Sequence, residues 1–176
     1  MTRSSTETRG PTPAEAAARP EKYLTFTLAG ETYGVPVLAV REIIRLCPIT
    51  AVAGMPPHVR GVINLRGRVI PLIDLRVRFG LPAAADHDRT CIIVAQVAAA
   101  TGGTRPYAVV VDGVEEVASI AATDVTSPPD FGDMVDVRFI TGMARRAAAV
   151  ITLVDLDVVA VADRVAEIPA GPKAGD

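Results

Sequence analysis

YGVPVLAVREI (residues 33–43) returns as YAVVVDGVEEV (residues 107–117), and VIPLIDLRVRF (residues 69–79) returns as VITLVDLDVVA (residues 150–160), in the same order. The offsets are 74 and 81 residues, so the two copies differ by a modest insertion. One small β-rich unit has been used twice. Solenoid repeats run to about 20–50 residues, so a repeat at this longer period predicts two similar subdomains with a groove between them. Such a groove suits a partner protein better than it suits chemistry.

The 176 residues suffice for one ordinary domain or two fused subdomains, and a chain of this size buries about two-thirds of its surface on folding. Hydrophobic residues make up 49% but aromatics only 4%, with no Trp, so Val, Ile, Leu and Ala must build the core. Density in β-branched residues favours strands. Eighteen basic against twenty acidic residues leave a formal charge of −2, which is no footprint for nucleic acid or an anionic membrane.

Residues 1–20 combine Ser, Thr, Pro, Ala and charge without the apolar run of a secretory signal, and read as a flexible tail. Pro, Asp, Arg and Gly punctuate every hydrophobic run, so no stretch reaches the ~18 apolar residues of a membrane span, and a soluble, cytoplasmic protein is expected. Cys47 and Cys91 form no disulfide framework and no Cys-x-x-Cys pair, and read as inert small hydrophobes.

Along the chain, KYLTFTLAG followed by ETYGV signals a hairpin. Residues 37–44 read as a helical turn running into a strand, and residues 58–74 as two strands meeting at Arg66-Gly67, where Gly supplies the positive φ of a tight turn. Residues 75–80 form a short amphipathic helical turn, and 83–89 a polar linker. The second copy opens at Thr90 with the strand TCIIVAQVA, a loop over 101–106, and a strand pair broken near Asp112-Gly113. An exposed loop over 127–136 precedes strands around 137–143 and 150–154. Residues 155–168 close the domain as a helix packing Leu156, Val159, Ala160 and Val165 inward. Many short strands with little helix indicate small barrels.

GVINLRGRVIPLIDLRVRFG (residues 61–80), VVVDGVEEV (residues 109–117), the Pro128-Pro129 segment and RFITGMA (residues 138–144) together resemble the CheW family, the coupling proteins of bacterial chemotaxis arrays. The resemblance covers residues 21–167 and rests on several phrases in order rather than one short motif. It implies a mainly β fold of two packed SH3-like five-stranded barrels with short helices and a C-terminal helix. Subdomain one then spans about 21–82, subdomain two about 89–154 and the helix about 155–168, with 169–176 a flexible tail. It further implies a non-enzymatic scaffold joining methyl-accepting chemoreceptor tips to the regulatory domain of a CheA-type histidine kinase, with no cofactor, and with self-association in array rings as a further candidate contact. Val37, Val40, Glu42 and Ile43 match the kinase-binding surface, and Gly61, Arg66, Cys91, Val114 and Val117 surround the receptor groove. An apolar Val/Ile stripe suits a docked helical hairpin, with Glu42 and Arg66 setting register. The loop over 98–105 is longer than the resemblance leads one to expect, and Cys91 stands where an aliphatic residue is common.

Each site residue has a plainer reading. Val37, Val40, Val114 and Val117 are of the type usually buried as core, and Arg66 and Glu42 of the type usually solvated. Asp86-His87-Asp88 and Asp130, Asp133, Asp136 lack metal-ligand spacing, and Gly102-Gly103 lacks a phosphate-loop setting. A β-barrel nucleic-acid binder would need a basic groove and exposed aromatics, which this composition does not provide. Within the same fold, an adaptor for a chemosensory-like pathway controlling pili, gliding or second-messenger output is the alternative reading.

Overall fold

The structure, a computed structural model, describes residues 12–14, 19–99, 101–130 and 137–162. Readings that fall on residues 1–11, 15–18, 131–136 and 163–176, among them Val165, Asp133 and Asp136, lie outside the described residues. Eleven strands form among the described residues: β1 (Glu21–Leu28), β2 (Glu31–Pro36), β3 (Val40–Arg45), β4 (Val59–Leu65), β5 (Arg68–Asp74), β6 (Cys91–Ala98), β7 (Thr104–Val111), β8 (Gly113–Ile120), β9 (Val125–Thr126), β10 (Ile140–Arg146) and β11 (Ala149–Val154). Helix α1 (Leu75–Arg78) follows β5, and α2 (Leu156–Ala162) follows β11. Val37–Ala39 is a 3-10 turn running into β3, the turn-then-strand the sequence predicts.

The strands sort into a six-stranded sheet, β8-β1-β2-β11-β10-β9, and a five-stranded sheet, β3-β6-β7-β5-β4. Neither hydrogen-bonded ladder closes on itself, and the two-residue β9 gives one sheet six strands rather than the five expected. Each sheet nevertheless curls around its own apolar cluster. Ile63, Ile70, Leu72, Ile92, Val94, Ala108 and Val110 fill one, and Tyr23, Ala118, Ile120, Ala144, Ile151 and Leu153 the other.

Sheet membership cuts across the division into residues 21–82 and 89–154. The hairpin β1–β2 sits with β8–β11, and the hairpin β6–β7 sits with β3–β5. Each copy has lent its first hairpin to the other. The exchange is made by two parallel pairings, Leu72 opposite Ala108 and Leu153 opposite Gly34, which occupy equivalent positions in the repeat.

Between the sheets lies the largest cluster, including Phe26, Val35, Leu75, Ile93, Tyr107, Val109, Leu156, Val159 and Ala160. Apolar side chains from both hairpins therefore fill a shared core between the sheets, with Cys91 and Val114 packed half-buried against it. Burying each such large side chain is worth roughly 1.5–3 kcal/mol. The two helix starts are built alike. Asp74 caps α1 by accepting from the Arg76 and Val77 N–H groups, and Asp155 accepts from those of Asp157 and Val158. Their successors Leu75 and Leu156 are both buried in the shared core.

Candidate docking surfaces

Among the described residues, strand β3 is an edge of the five-stranded sheet, paired only with β6. Its burial alternates, with Val40, Glu42 and Ile44 half-buried and Arg41, Ile43 and Arg45 exposed. Val37 and Val40 rest against the inter-sheet core without being enclosed by it, and Ile43 is 45% exposed. These residues thus form the rim of the core at a free strand edge, where an apolar partner can extend it.

Glu42 and Arg66, assigned by resemblance to different partners, meet in one bidentate pair with N–O distances of 2.8 and 2.9 Å. Arg66 occupies the β4–β5 turn, where Leu65 faces Arg68 and both central residues take positive φ, +51° at Arg66 and +79° at Gly67. This is the type I′ pattern that matches strand twist. The Asn64 side chain accepts from the Gly67 N–H at 3.0 Å and fixes the turn. Hydrogen bonding to Glu42 raises the pKa of the Arg66 guanidinium further. Around the pair opens a cleft lined by Arg41, Arg68, Leu65, Ile70, Val94 and Pro106.

Gly61 sits buried in β4 with φ +139°, and a Cβ there would lie 2.1 Å from the Thr50 carbonyl oxygen. Its position thus serves a close backbone approach, the bridge of Thr50 to Val62, rather than presenting a surface. Cys91 and Val114 are brought together at the rim of the inter-sheet core, both half-buried. Burial pushes up the Cys91 thiol, against an opposing hydrogen bond with the Val114 backbone. Val117 lies apart from them, 53% exposed on β8, the edge of the six-stranded sheet.

By the 74-residue offset, Val40 matches Val114, Glu42 matches Glu116, and Ile43 matches Val117. The kinase-side strand β3 and the β8 part of the receptor set, Val114 and Val117, are thus the same edge strand in two copies, while Gly61, Arg66 and Cys91 lie with β3 in the five-stranded sheet. Glu116 is also ion-paired, but to Arg146 on β10 at 3.0 Å, which matches Leu65 rather than Arg66. What differs is charge, since β3 exposes Arg41 and Arg45 where β8 has Glu115 and Ser119 at the matching positions.

Sequence reading passed over Leu38, which is 96% exposed on the 3-10 turn beside Val37. The offset that pairs Leu38 with Asp112 was the available signal, because an apolar residue facing a charged counterpart marks a surface where the copies have diverged. It also passed over Arg41 and Arg68 of the cleft. No cluster of three or more His, Cys, Asp or Glu side chains is assembled among the described residues. In the linker, Asp86 is held by Arg60 at 2.9 and 2.8 Å, and the His87 Nδ1 accepts from the Arg89 N–H. No helix among the described residues is long and apolar enough to cross a membrane. The arrangement offers two edge strands and an arginine-lined cleft, which are features for holding other proteins.

Comparison with known proteins agrees with this geometry. The CheW-like domain family matches residues 22–164. The chemotaxis protein CheW of Klebsiella aerogenes is 34% identical over 137 residues, covering 78% of this chain and 80% of that one. The chemotaxis protein CheW of Rhizobium meliloti is 35% identical over 136 residues, covering 77% and 84%. Among solved structures, the scaffolding protein TtCheW from Thermoanaerobacter tengcongensis superimposes with a TM-score of 0.69 at 31% identity, covering 77% of this chain and 89% of that one.

Proposed function

The chain belongs to the CheW-like family and is a scaffold of chemotaxis signal transduction, and we propose that it works by holding a CheA-type histidine kinase and methyl-accepting chemoreceptor tips on adjacent faces. It does so without catalysing a reaction, in the cytoplasm, and reaches the membrane only through its receptors. Val37, Val40, Glu42 and Ile43 receive the kinase's regulatory domain, and Leu38 extends that face. Arg66, Cys91, Val114 and Val117 receive the receptor, with Gly61 supporting the strand behind them. The observation that carries this reading is the free β3 edge, apolar at Ile43 and half-buried along Val37 and Val40, beside the Glu42–Arg66 pair. Apolar rims of this size give modest affinity, which an array multiplies by linking many copies.

Calorimetric titration of the full chain with the kinase's regulatory domain tests the assignment. Binding weakens at least about tenfold in Glu42→Arg and in Leu38→Asp, the scale set by a buried charge at an interface centre. A charge swap, Glu42→Arg with Arg66→Glu, rebuilds the pair. If the swap restores kinase binding, the pair acts only by fixing the turn, and the assignment of Glu42 as a contact is wrong.

A further inference from the structure

The chain leaves the five-stranded sheet at the end of β7 and enters the six-stranded sheet at the start of β8, and Asp112 stands at that crossing. Its carboxylate accepts from Arg76 Nε at 2.6 Å, from Arg76 Nη2, and from the Ala29 N–H at 2.8 Å. Arg76 Nη1 donates to the Pro82 carbonyl at 3.0 Å, and the Asp112 N–H donates to the Thr27 carbonyl at 3.0 Å. Helix α1, the β1–β2 turn, the start of the linker and the β7–β8 crossing are therefore tied at one point. The two side chains are only 16% and 17% exposed.

A pair withdrawn from water in this way adds little net stability, because desolvation offsets most of the attraction, but its fixed fork geometry does define an orientation. The second corner of the repeat shows that the fold does without it. There Leu38 stands in place of Asp112 and Asp157 in place of Arg76. No ion pair joins them, and the same strand crossing still forms.

The geometry points to Arg76 and Asp112 as positioning residues that fix the angle between the two sheets, and so hold edge strands β3 and β8 in the relation that lets a displacement at one bound partner reach the other. This rests on the scaffold reading above. A coupling element transmits only if its two binding faces move as one body, and Arg76–Asp112 is an ion pair placed on the crossing between the sheets.

The test uses the full chain carrying Arg76→Gln with Asp112→Asn, which removes both charges and leaves Ala29 an acceptor. Arg60→Gln with Asp86→Asn is the control, since that bidentate pair ties β4 to the linker and spans no sheet crossing. Spin labels at Ile43→Cys and Val117→Cys, in a background with Cys47 and Cys91 replaced by Ala, report the distance between the two edges in the free protein. The distance distribution broadens about twofold in the Arg76/Asp112 variant and not in the control. In reconstituted receptor–kinase assemblies, receptor-dependent kinase activation falls about tenfold while separate affinities for kinase and receptor stay within about threefold. An unchanged distance distribution overturns the inference, and so does a loss of both separate affinities in step with coupling, which is the mark of general damage. Failure of the unaltered chain to couple receptor to kinase would instead refute the scaffold reading, and the distance measurement would still decide the role of the pair.

Discussion

The corner at Asp112 and the corner at Leu38 hold equivalent places in a duplicated chain, and one is drawn inward by charge while the other stands in solvent. Asp112 is clasped by Arg76 and the Ala29 N–H, whereas Leu38 is 96% exposed. Around them the copies agree closely. Asp74 and Asp155 cap their helices, Gly61 and Gly142 admit a crossing backbone, and Tyr33 and Tyr107 begin the same phrase. The outward strand edges differ in charge, with Arg41 on β3 where Glu115 stands on β8. A duplicated fold can keep its packing rules and still differentiate its two faces, because surface positions tolerate change that core positions do not.

The glycines give the largest test of that comparison. A Cβ at Gly61 would sit 2.1 Å from the Thr50 carbonyl oxygen and 2.8 Å from its carbonyl carbon, at a φ of +139°. At Gly142 it would meet Val125 Cγ1 at 2.6 Å and the Thr126 carbonyl oxygen at 3.1 Å, with a side chain rather than backbone as the nearest obstacle. Gly61→Ala should therefore cost about 3 kcal/mol or more and Gly142→Ala about 1–2 kcal/mol in denaturant unfolding. Equal costs would mean that the Thr50 bridge yields as easily as a side chain.

Tyr107→Phe comes next. Its hydroxyl donates to the Leu156 carbonyl at 2.7 Å inside the core, while no hydrogen bond of the half-buried Tyr33 hydroxyl is seen among the described residues. Thermal unfolding should show a loss of about 1–2 kcal/mol for Tyr107→Phe and a near-neutral Tyr33→Phe. A larger loss at Tyr33 would reverse the assignment of the anchored copy.

Acid should separate the two corners by a smaller amount. Burial pushes the Asp112 carboxyl up, but hydrogen bonds from Arg76 and Ala29 outweigh it and hold the group below its ordinary value. Its contribution is present above the unfolded value of about 3.9 and is lost as pH falls through the lower folded value. Asp157 is raised, by burial and by neighbouring Asp155, so its contribution is present below about 3.9 and is lost as pH rises through the higher folded value. Amide exchange, corrected for intrinsic rate, should show the Ala29 N–H losing protection as pH falls below about 3.9, while the Ala98 N–H, bonded to Asp157, keeps or gains it. Parallel loss at both would show that the corners are not independent.

The smallest effect belongs to the exposed ion pairs. Arg66→Ala and Arg146→Ala should each leave the unfolding midpoint unchanged within error, since solvated pairs contribute little to stability. A clear drop for Arg66→Ala alone would mark its turn as strained by the positive φ and held by Glu42.

Much of this was legible in the sequence because the repeat constrains both copies together. The turn at Arg66-Gly67, the break at Asp112-Gly113 and the turn-then-strand at residues 37–45 all fall where Gly and β-branched runs place them. Strand β10 begins at Ile140, three residues later than expected, since Val137 to Phe139 turn before entering the sheet. Strand β9 and the Thr50 bridge were not legible. Each is too short to carry a period, and exists because a glycine in the neighbouring strand makes room for it. Exposure of the site residues was equally hidden, for Val40 and Val109 look alike in a list of residues while one lies on an edge strand and the other in the centre of a sheet.

By itself the sequence determined that a β unit occurs twice, that its core is aliphatic, and which turns join its strands, because these follow from local propensity and side-chain alternation. Only the tertiary structure decided that the copies exchange hairpins, that apolar side chains from both hairpins fill a shared core between the sheets, and that Glu42 meets Arg66 while Asp112 meets Arg76. Those are long-range pairings, and local pattern carries no information about which distant strand offers the better-matched edge.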